Sequence, residues 1–148
     1  MKNKNITLLS LFVGYAALAC AGSAVAKRGN DPALEDAVRA VAAAADAQDV
    51  ARMDKLLHDN FSTHFVVAKA PGEKAVPKKV YLDLLGAKKI GGDQRQVNLL
   101  SVERVERLAF ARVRLNGKKA NFEAQQTWVK ADAGWRLLSE SVVFAPRG

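Results

Sequence analysis

The last third of the 148-residue chain alternates apolar and polar residues in long runs that are separated by short turns. Residues 109–115, 118–130 and 135–144 form three such runs, and Asn116-Gly117 joins the first two. Asn-Gly between alternating runs is a strong hairpin signal, because both central positions of a type I′ turn need positive φ. We therefore predict three or four long strands over residues 96–144, with helices covering one face of the sheet.

Helix signals occupy the region before this sheet. Asp31 suits an N-cap, and Pro32 suits the first helical position, where its missing N–H costs nothing. Asp49 is predicted to cap a second, shorter helix. Pro77 is predicted to begin a third helix, which ends at the two glycines of residues 91–92.

One strand is predicted between the second and third helices. Residues 61–67 are rich in aromatic and β-branched residues, and the polar residues 58–60 before them are predicted to form a break. The order is then helix, helix, strand, helix and three or four strands. Because helices and strands do not alternate regularly, this order predicts an α+β fold with an antiparallel sheet.

The N-terminal 26 residues have the three parts of a signal peptide. Lys2 and Lys4 supply a positive start, residues 6–19 form an uncharged apolar run, and Ala-Val-Ala at residues 24–26 is a small-x-small cleavage site. The alternative is a permanent anchor, but a spanning helix needs about 20 apolar residues. We predict cleavage after residue 26, and an exported protein that is periplasmic or secreted.

The predicted cleavage falls between Ala26 and Lys27. It leaves a short flexible leader over residues 27–30 and a single domain over residues 31–145. Cys20 is the only cysteine and lies within the signal, so the mature protein would have no disulfide. An alternative processing would retain Cys20 as a lipidated N-terminus, although the residues before it match a lipoprotein motif only in part.

The number and distribution of the charged residues limit which classes of partner the chain is expected to bind. The chain carries 23 basic and 15 acidic residues, and a net charge of +8 attracts nucleic acid or an anionic surface. The basic residues are scattered, however, and no run alternates them with aromatic residues. We therefore predict a solvated basic surface, no nucleic-acid partner and no membrane association after signal cleavage.

Four segments of the chain resemble the nuclear transport factor 2-like superfamily, which includes the SnoaL-like cyclases and the ketosteroid isomerases. They are Ala-Gln-Asp at residues 47–49, Leu-His-Asp-Asn-Phe at 57–61, Tyr-Leu at 81–82, and residues 127–137, which are similar to the closing hairpin of that superfamily. Within it, the chain most resembles a branch of small proteins named for lumazine binding. The likeness extends over residues 31–144.

This resemblance implies a definite architecture. A cone-shaped, curled antiparallel sheet wraps around the N-terminal helices, in the nuclear transport factor 2-like or cystatin-like roll. An apolar cavity is expected at the wide end of the cone. The resemblance also implies a homodimer that forms through the outer face of the sheet.

Strand alternation predicts which side chains face the cavity. On the run of residues 118–130, one face carries the large aromatics, and we expect that face to point inward. Core packing is the alternative role for each such residue. The predicted ligand-binding residues are Phe65, Tyr81, Phe122, Gln126 and Trp128. Trp128 would stack on a flat heterocycle such as a pteridine, and the amide of Gln126 would offer a donor and an acceptor to its edge.

The groups that isomerase chemistry needs are incomplete in the sequence. Ketosteroid isomerisation uses a carboxylate base, together with a tyrosine and a protonated acid that hold the enolate oxygen. The resemblance aligns Ala124 with a position where Asp is common in the superfamily. Asp59 stands near the usual base position, but it follows His58 in a polar segment, where capping or solvation explains it.

We therefore predict a protein that binds a small apolar or flat aromatic molecule in a pocket and does not catalyse its conversion. No catalytic residue, metal site or cofactor is predicted. Two alternatives stay open. One is an isomerase or cyclase that uses Asp59 and Tyr81. The other is a dimeric interaction module that contacts its partner through Phe110, His64 and Thr127.

Overall fold

The computed structural model describes residues 27–28, 31–67 and 75–146. The predicted signal peptide therefore lies outside the described residues. The described elements, in chain order, are β1 (Lys27–Arg28), α1 (Pro32–Ala47), α2 (Val50–Leu56), β2 (Leu57–Val67), β3 (Ala75–Pro77), α3 (Lys78–Gly86), β4 (Gln96–Val105), β5 (Leu108–Asn116), β6 (Ala120–Ala131) and β7 (Gly134–Pro146). None of the helices in these ranges is both long and apolar enough to cross a bilayer.

The predicted α+β class with a curled sheet is confirmed. The strands form one sheet in the order β1-β4-β5-β6-β7-β2-β3. Strands β4 to β7 pair as the antiparallel meander that the sequence predicts. Strand β2 pairs with β7 in parallel, so the sheet is mixed. A parallel pair needs a long connection, and here the chain passes through β3, α3, β4, β5 and β6 before it returns.

The two N-terminal helices begin where their capping residues predict. The Asp31 carboxylate accepts a hydrogen bond from the Leu34 amide (3.1 Å), and the Asp49 carboxylate accepts one from the Arg52 amide (2.9 Å). The buried face of α1 packs against β4 and β7. Its buried residues are Leu34, Val38, Val41, Ala42, Ala44 and Ala45.

Three element boundaries differ from the prediction. Residues 27–28 pair with β4 rather than forming a flexible leader. Strand β2 begins at Leu57, because the polar residues 58–60 lie at a bulge in its pairing with β7 instead of breaking the strand. Helix α3 ends at Gly86, before the two glycines. Those glycines have positive φ, and a Cβ on Gly91 would overlap the Ala45 carbonyl oxygen.

The hairpin at Asn116 and Gly117 exists, but its turn chemistry differs from the prediction. Neither residue has positive φ. The turn is instead held by Asp93, whose carboxylate accepts hydrogen bonds from the Lys119 amide (2.8 Å) and the Ala120 amide (3.4 Å). A Cβ on Gly117 would overlap this carboxylate, so glycine is needed here for close approach rather than for its φ.

Candidate functional site

A cavity of about 480 Å³ lies between the helices and the inner face of the sheet. This volume is within the usual range for small-molecule sites. Its wall is formed by α1, α3, the loop after α3, and the strands β2 and β5 to β7. The apolar residues of the wall include Val38, Val41, Ala42, Ala45, Leu84, Ile90, Leu115 and Val142.

The cavity brings together four of the five predicted ligand-binding residues. Phe65, Tyr81, Phe122 and Gln126 all contribute to its wall. Trp128 does not line the cavity, because its ring is fully buried in the core. Its indole N–H donates a hydrogen bond to the Gln126 side-chain oxygen (3.1 Å). Trp128 therefore orients Gln126 instead of offering a stacking surface.

A row of buried polar side chains crosses three neighbouring strands at this site. Thr63 on β2 is opposite Glu140 on β7, and Glu140 is opposite Gln126 on β6. All three are buried. The Gln126 amide nitrogen donates a hydrogen bond to a Glu140 carboxyl oxygen (3.2 Å). Because the indole of Trp128 can only donate, the amide of Gln126 is held with its nitrogen toward Glu140.

Burial raises the pKa of the Glu140 carboxyl. The hydrogen bond from Gln126, the positive charge of Arg95 and the Thr63 hydroxyl all lower the pKa, but desolvation is the largest effect. The Thr63 hydroxyl makes no hydrogen bond of good geometry. The raised pKa favours the protonated carboxyl more than in an exposed glutamate, and a protonated carboxyl can donate a hydrogen bond into the cavity.

Tyr81 is a second buried donor in the cavity wall. Its ring packs edge-on against Phe61, with 5.4 Å between the ring centroids. Burial is the main reason that the pKa of its hydroxyl is raised, and the Glu140 carboxyl adds to this effect whenever it is ionised. The hydroxyl makes no hydrogen bond to any residue in the described ranges. It therefore stays protonated and is available to a bound molecule.

Arg95 closes one side of the cavity. Its Nε lies 2.6 Å from Asp46 Oδ1, and its backbone amide donates to Asp46 Oδ2 (2.7 Å). The guanidinium carbon also lies 5.7 Å from the centroid of the Phe122 ring. This ion pair joins α1 to the start of β4, and it offsets the positive charge of Arg95.

The sequence analysis missed Glu140 because of a bulge in β7. Thr127 pairs with Ser139 and Trp128 pairs with Leu137, so one residue of β7 lies unpaired between them. Simple alternation from Leu137 would place residues 139 and 141 inside and Glu140 outside. The extra residue reverses the alternation and turns Glu140 toward the cavity.

Apart from Tyr81, the residues that were considered for the two alternative functions lie outside the cavity wall. Asp59 is not in the cavity wall; its side chain is 88% exposed and lies 3.4 Å from the Lys78 ammonium. Ala124 is buried on β6 between the wall residues Phe122 and Gln126, but it does not itself line the cavity. Phe110 is 44% exposed, and it pairs with Thr127 on the outer side of the sheet, away from the cavity. The structure thus does not bring Asp59 to Tyr81.

Neither a protein-family model nor a curated protein matches the chain. Solved structures do match it. A nuclear transport factor 2-like protein of unknown function from Shewanella baltica is 13% identical, with a TM-score of 0.67 over 78% of this chain and 93% of that chain. A similar protein of unknown function from Silicibacter pomeroyi is 15% identical, with a TM-score of 0.64 over 78% of this chain and 93% of that chain.

A cystatin-like fold protein from Burkholderia xenovorans also matches. It is 12% identical, with a TM-score of 0.62 over 83% of this chain and 99% of that chain. Identities this low show a shared fold and nothing about activity. The chain therefore has the nuclear transport factor 2-like fold, which is also described as cystatin-like.

Proposed function

We propose that this protein binds a small, largely apolar molecule in the cavity between α1, α3 and the sheet. The observation that carries the proposal is an apolar cavity wall with two buried polar groups, the Tyr81 hydroxyl and the Glu140 carboxyl. Apolar walls of this kind supply affinity, at roughly 25 cal/mol for each Å² buried. The few polar groups then fix the orientation of the ligand.

A flat heterocycle of the lumazine type is one ligand that this proposal includes. The polar contact to such a ring would come from Glu140 rather than from Gln126. The Gln126 oxygen already accepts from Trp128, and its nitrogen already donates to Glu140. A neutral carboxyl at Glu140 can donate to a ring nitrogen or a ring carbonyl.

Filling the cavity should abolish binding without unfolding the protein. Ala42 is a buried residue of the cavity wall, and Ala42→Phe would place a ring in the empty space. We expect the affinity for any bound lumazine, naphthoate or decanoate to fall by at least about tenfold, because the ligand and the new ring compete for one volume. Binding is measured by tryptophan fluorescence and by the thermal shift of the purified protein.

Ala43→Phe is the matched control. Ala43 is the next residue of α1 and is exposed, outside this cavity, so the same ring there should leave binding unchanged. Circular dichroism checks that both variants fold. Wild-type affinity in Ala42→Phe would contradict the proposed site. A complete lack of binding by the wild-type protein across heterocycles and lipophiles would contradict the function itself.

The buried Glu140 beside Tyr81 in the cavity wall also favours a second candidate, an enzyme that polarises a substrate carbonyl. A protonated acid together with a tyrosine is the pair that stabilises an enolate oxygen in ketosteroid isomerisation. Glu140 and Tyr81 would supply those two donors. Asp93 is another carboxylate of the cavity wall, and it is held by the backbone amides of the β5–β6 turn.

Turnover of a β,γ-unsaturated ketone distinguishes this candidate from a binding protein. If the site is catalytic, Tyr81→Phe should lower kcat by about 10²-fold or more, because it removes one donor to the developing oxyanion. Asp59→Asn should leave kcat unchanged, because Asp59 lies outside the cavity. A wild-type rate no higher than the uncatalysed rate would eliminate the enzyme and leave the binding function intact.

A further inference from the structure

We propose that the ligand of this cavity carries an anionic group, which Lys88, Lys89 and Lys119 hold where the cavity meets solvent. This inference rests on the proposed binding function and assigns its ligand to one chemical class, the apolar monoanions. All three lysines belong to the cavity wall, and all three are exposed. We call them the lysine rim.

The lysine rim comes from two separate parts of the chain. Lys88 and Lys89 lie in the loop after α3, whereas Lys119 lies in the turn between β5 and β6. None of the three forms an ion pair with a carboxylate in the described ranges. Three uncompensated positive charges therefore converge on one opening from elements that are far apart in sequence.

The other charged groups of the cavity offset the lysine rim only in part. Arg95 is balanced by its ion pair with Asp46. Asp93 accepts hydrogen bonds from two backbone amides, which do not cancel the charge of a carboxylate. Even if Asp93 and Glu140 are both counted as negative, the three lysines leave a positive excess. The net field at the opening is thus positive, and an apolar wall concentrates such a field.

The loop that carries Lys88 and Lys89 is held in place. The Lys88 amide donates to the Leu85 carbonyl (3.0 Å), and the Lys89 amide donates to the Leu84 carbonyl (3.0 Å), which together form a Schellman motif. The side-chain amide of Gln48 then donates to the Ile90 carbonyl (3.0 Å), which fastens the loop to the end of α1. The two lysines are therefore held at the cavity by a fixed backbone.

Lys88 occupies a position where glycine is normally preferred. Its φ is 58°, the left-handed conformation of the residue after a helix C-cap, and most side chains are disfavoured there. The dipole of α3 favours a cation near this end, but the dipole does not account for Lys119 on another element. A ligand anion explains all three positions together.

The arrangement also orients the ligand. Its anionic group lies at the lysine rim, and its apolar part extends inward. A neutral hydrogen-bond acceptor at the inner end of the ligand lies near Glu140 and Tyr81. Among the described residues of the wall, Arg95 is the cation further inside, and it is engaged by Asp46, so an anion directed inward would meet no unpaired cation there.

The test compares ligands that differ only in charge, on the purified full chain. Tryptophan fluorescence and calorimetry give the affinities for decanoate, decanol and decylamine, and for naphthoate and naphthalenemethanol. We expect each carboxylate to bind at least about fivefold tighter than its alcohol. Added salt should weaken the carboxylates and leave the alcohols unchanged, because it screens exposed charges.

Two variants test the lysine rim directly. Lys119→Ala and Lys88→Gly should each lower the affinity for decanoate by about two- to fivefold and leave the affinity for decanol unchanged. Lys88→Gly should also raise Tm, because glycine relieves the left-handed backbone. Better stability together with weaker anion binding is a combination that a purely structural role for Lys88 would not give.

Lys118→Ala is the matched control, because Lys118 is exposed beside Lys119 but lies outside the cavity wall. It should leave both affinities unchanged. The inference is overturned if decanol binds as tightly as decanoate, if decylamine binds tighter, or if the two variants weaken both ligands equally. Binding of alcohols and acids with equal affinity would leave the proposed function standing, whereas no binding of any probe would remove both.

Discussion

Replacing Glu140 by glutamine should make the protein more stable at neutral pH, with an advantage that disappears in acid. The reason is that burial raises the pKa of Glu140 in the folded protein above its value in the unfolded chain. Below the unfolded pKa of about 4.3 both states hold the proton, and the group has no effect on stability. Above it, the unfolded chain ionises first, so stability falls as the pH rises.

The fall continues until the pH passes the folded pKa, and it then levels off. Within this window Glu140 removes about 1.4 kcal/mol of unfolding free energy for each pH unit. Glu140→Gln lacks this loss because the amide does not ionise. The substituted side chain has nearly the same shape, and its oxygen can still accept the hydrogen bond from Gln126. Urea unfolding at several pH values between about 4 and 9 measures the difference.

Glu123→Gln gives the control of opposite sign. Glu123 lies on the outer face of the sheet with its side chain 41% exposed, and hydrogen bonds from Arg114 and Arg112 lower the pKa of its carboxyl. Its contribution to stability is therefore present above its unfolded pKa and is lost as the pH falls. Glu123→Gln should lose stability at neutral pH and match the wild type in acid. Parallel stability curves for wild type and Glu140→Gln above about pH 5 would contradict a buried neutral acid at Glu140.

The sequence predicts most of the elements, because their signals are local. Asp31 and Asp49 cap the helices that they are predicted to cap, and the alternating runs become β4 to β7. Bulges are different, because they depend on how two strands pair. The bulge in β7 opposite Thr127 and Trp128 has no marker in the local sequence, and it decides that Glu140 points inward.

The same bulge explains why the candidate site was only partly predicted. The resemblance places an acid at residue 124, and the alanine found there indicated a site without one. The structure places the acid on the neighbouring strand, where Glu140 lies opposite Gln126. Sheet positions are shared between strands, so a side chain that is missing from one strand can be supplied by the next. An alanine at residue 124 therefore carries no information about acids on β7.

The role of Asp93 could not be predicted from the sequence either, because it depends on a hairpin that is distant along the chain. Nothing around residue 93 marks a capping carboxylate for a turn 26 residues later, and the Asn-Gly pair at that turn suggests a self-sufficient type I′ geometry. In the structure the turn does not have type I′ geometry, and hydrogen bonds from its amides to Asp93 stabilise it instead. The glycine of the pair is then needed for space, which leads to a specific test.

Gly117→Ala should destabilise the protein by about 2 kcal/mol, because the new methyl group overlaps the Asp93 carboxylate. Asp93→Ala should cost a similar amount, since it leaves the buried Ala120 amide without its partner. The double variant should cost less than the sum by about 1 kcal/mol or more, because the overlap needs both side chains. Chemical denaturation of the four proteins gives this coupling.

The coupling between Gly117→Ala and Asp93→Ala shows whether glycine is required at residue 117 for lack of space or because of backbone strain. Gly134 has a φ of 113° with no atom within 4 Å of a Cβ placed there, so Gly134→Ala reports strain alone and should add independently to Asp93→Ala. If Gly117→Ala and Asp93→Ala were also additive within about 0.5 kcal/mol, the carboxylate would not be what requires the glycine. A coupled result would mean that Asp93 holds the turn carrying Lys119. The carboxylate inside the cavity would then keep one cation of the lysine rim in position.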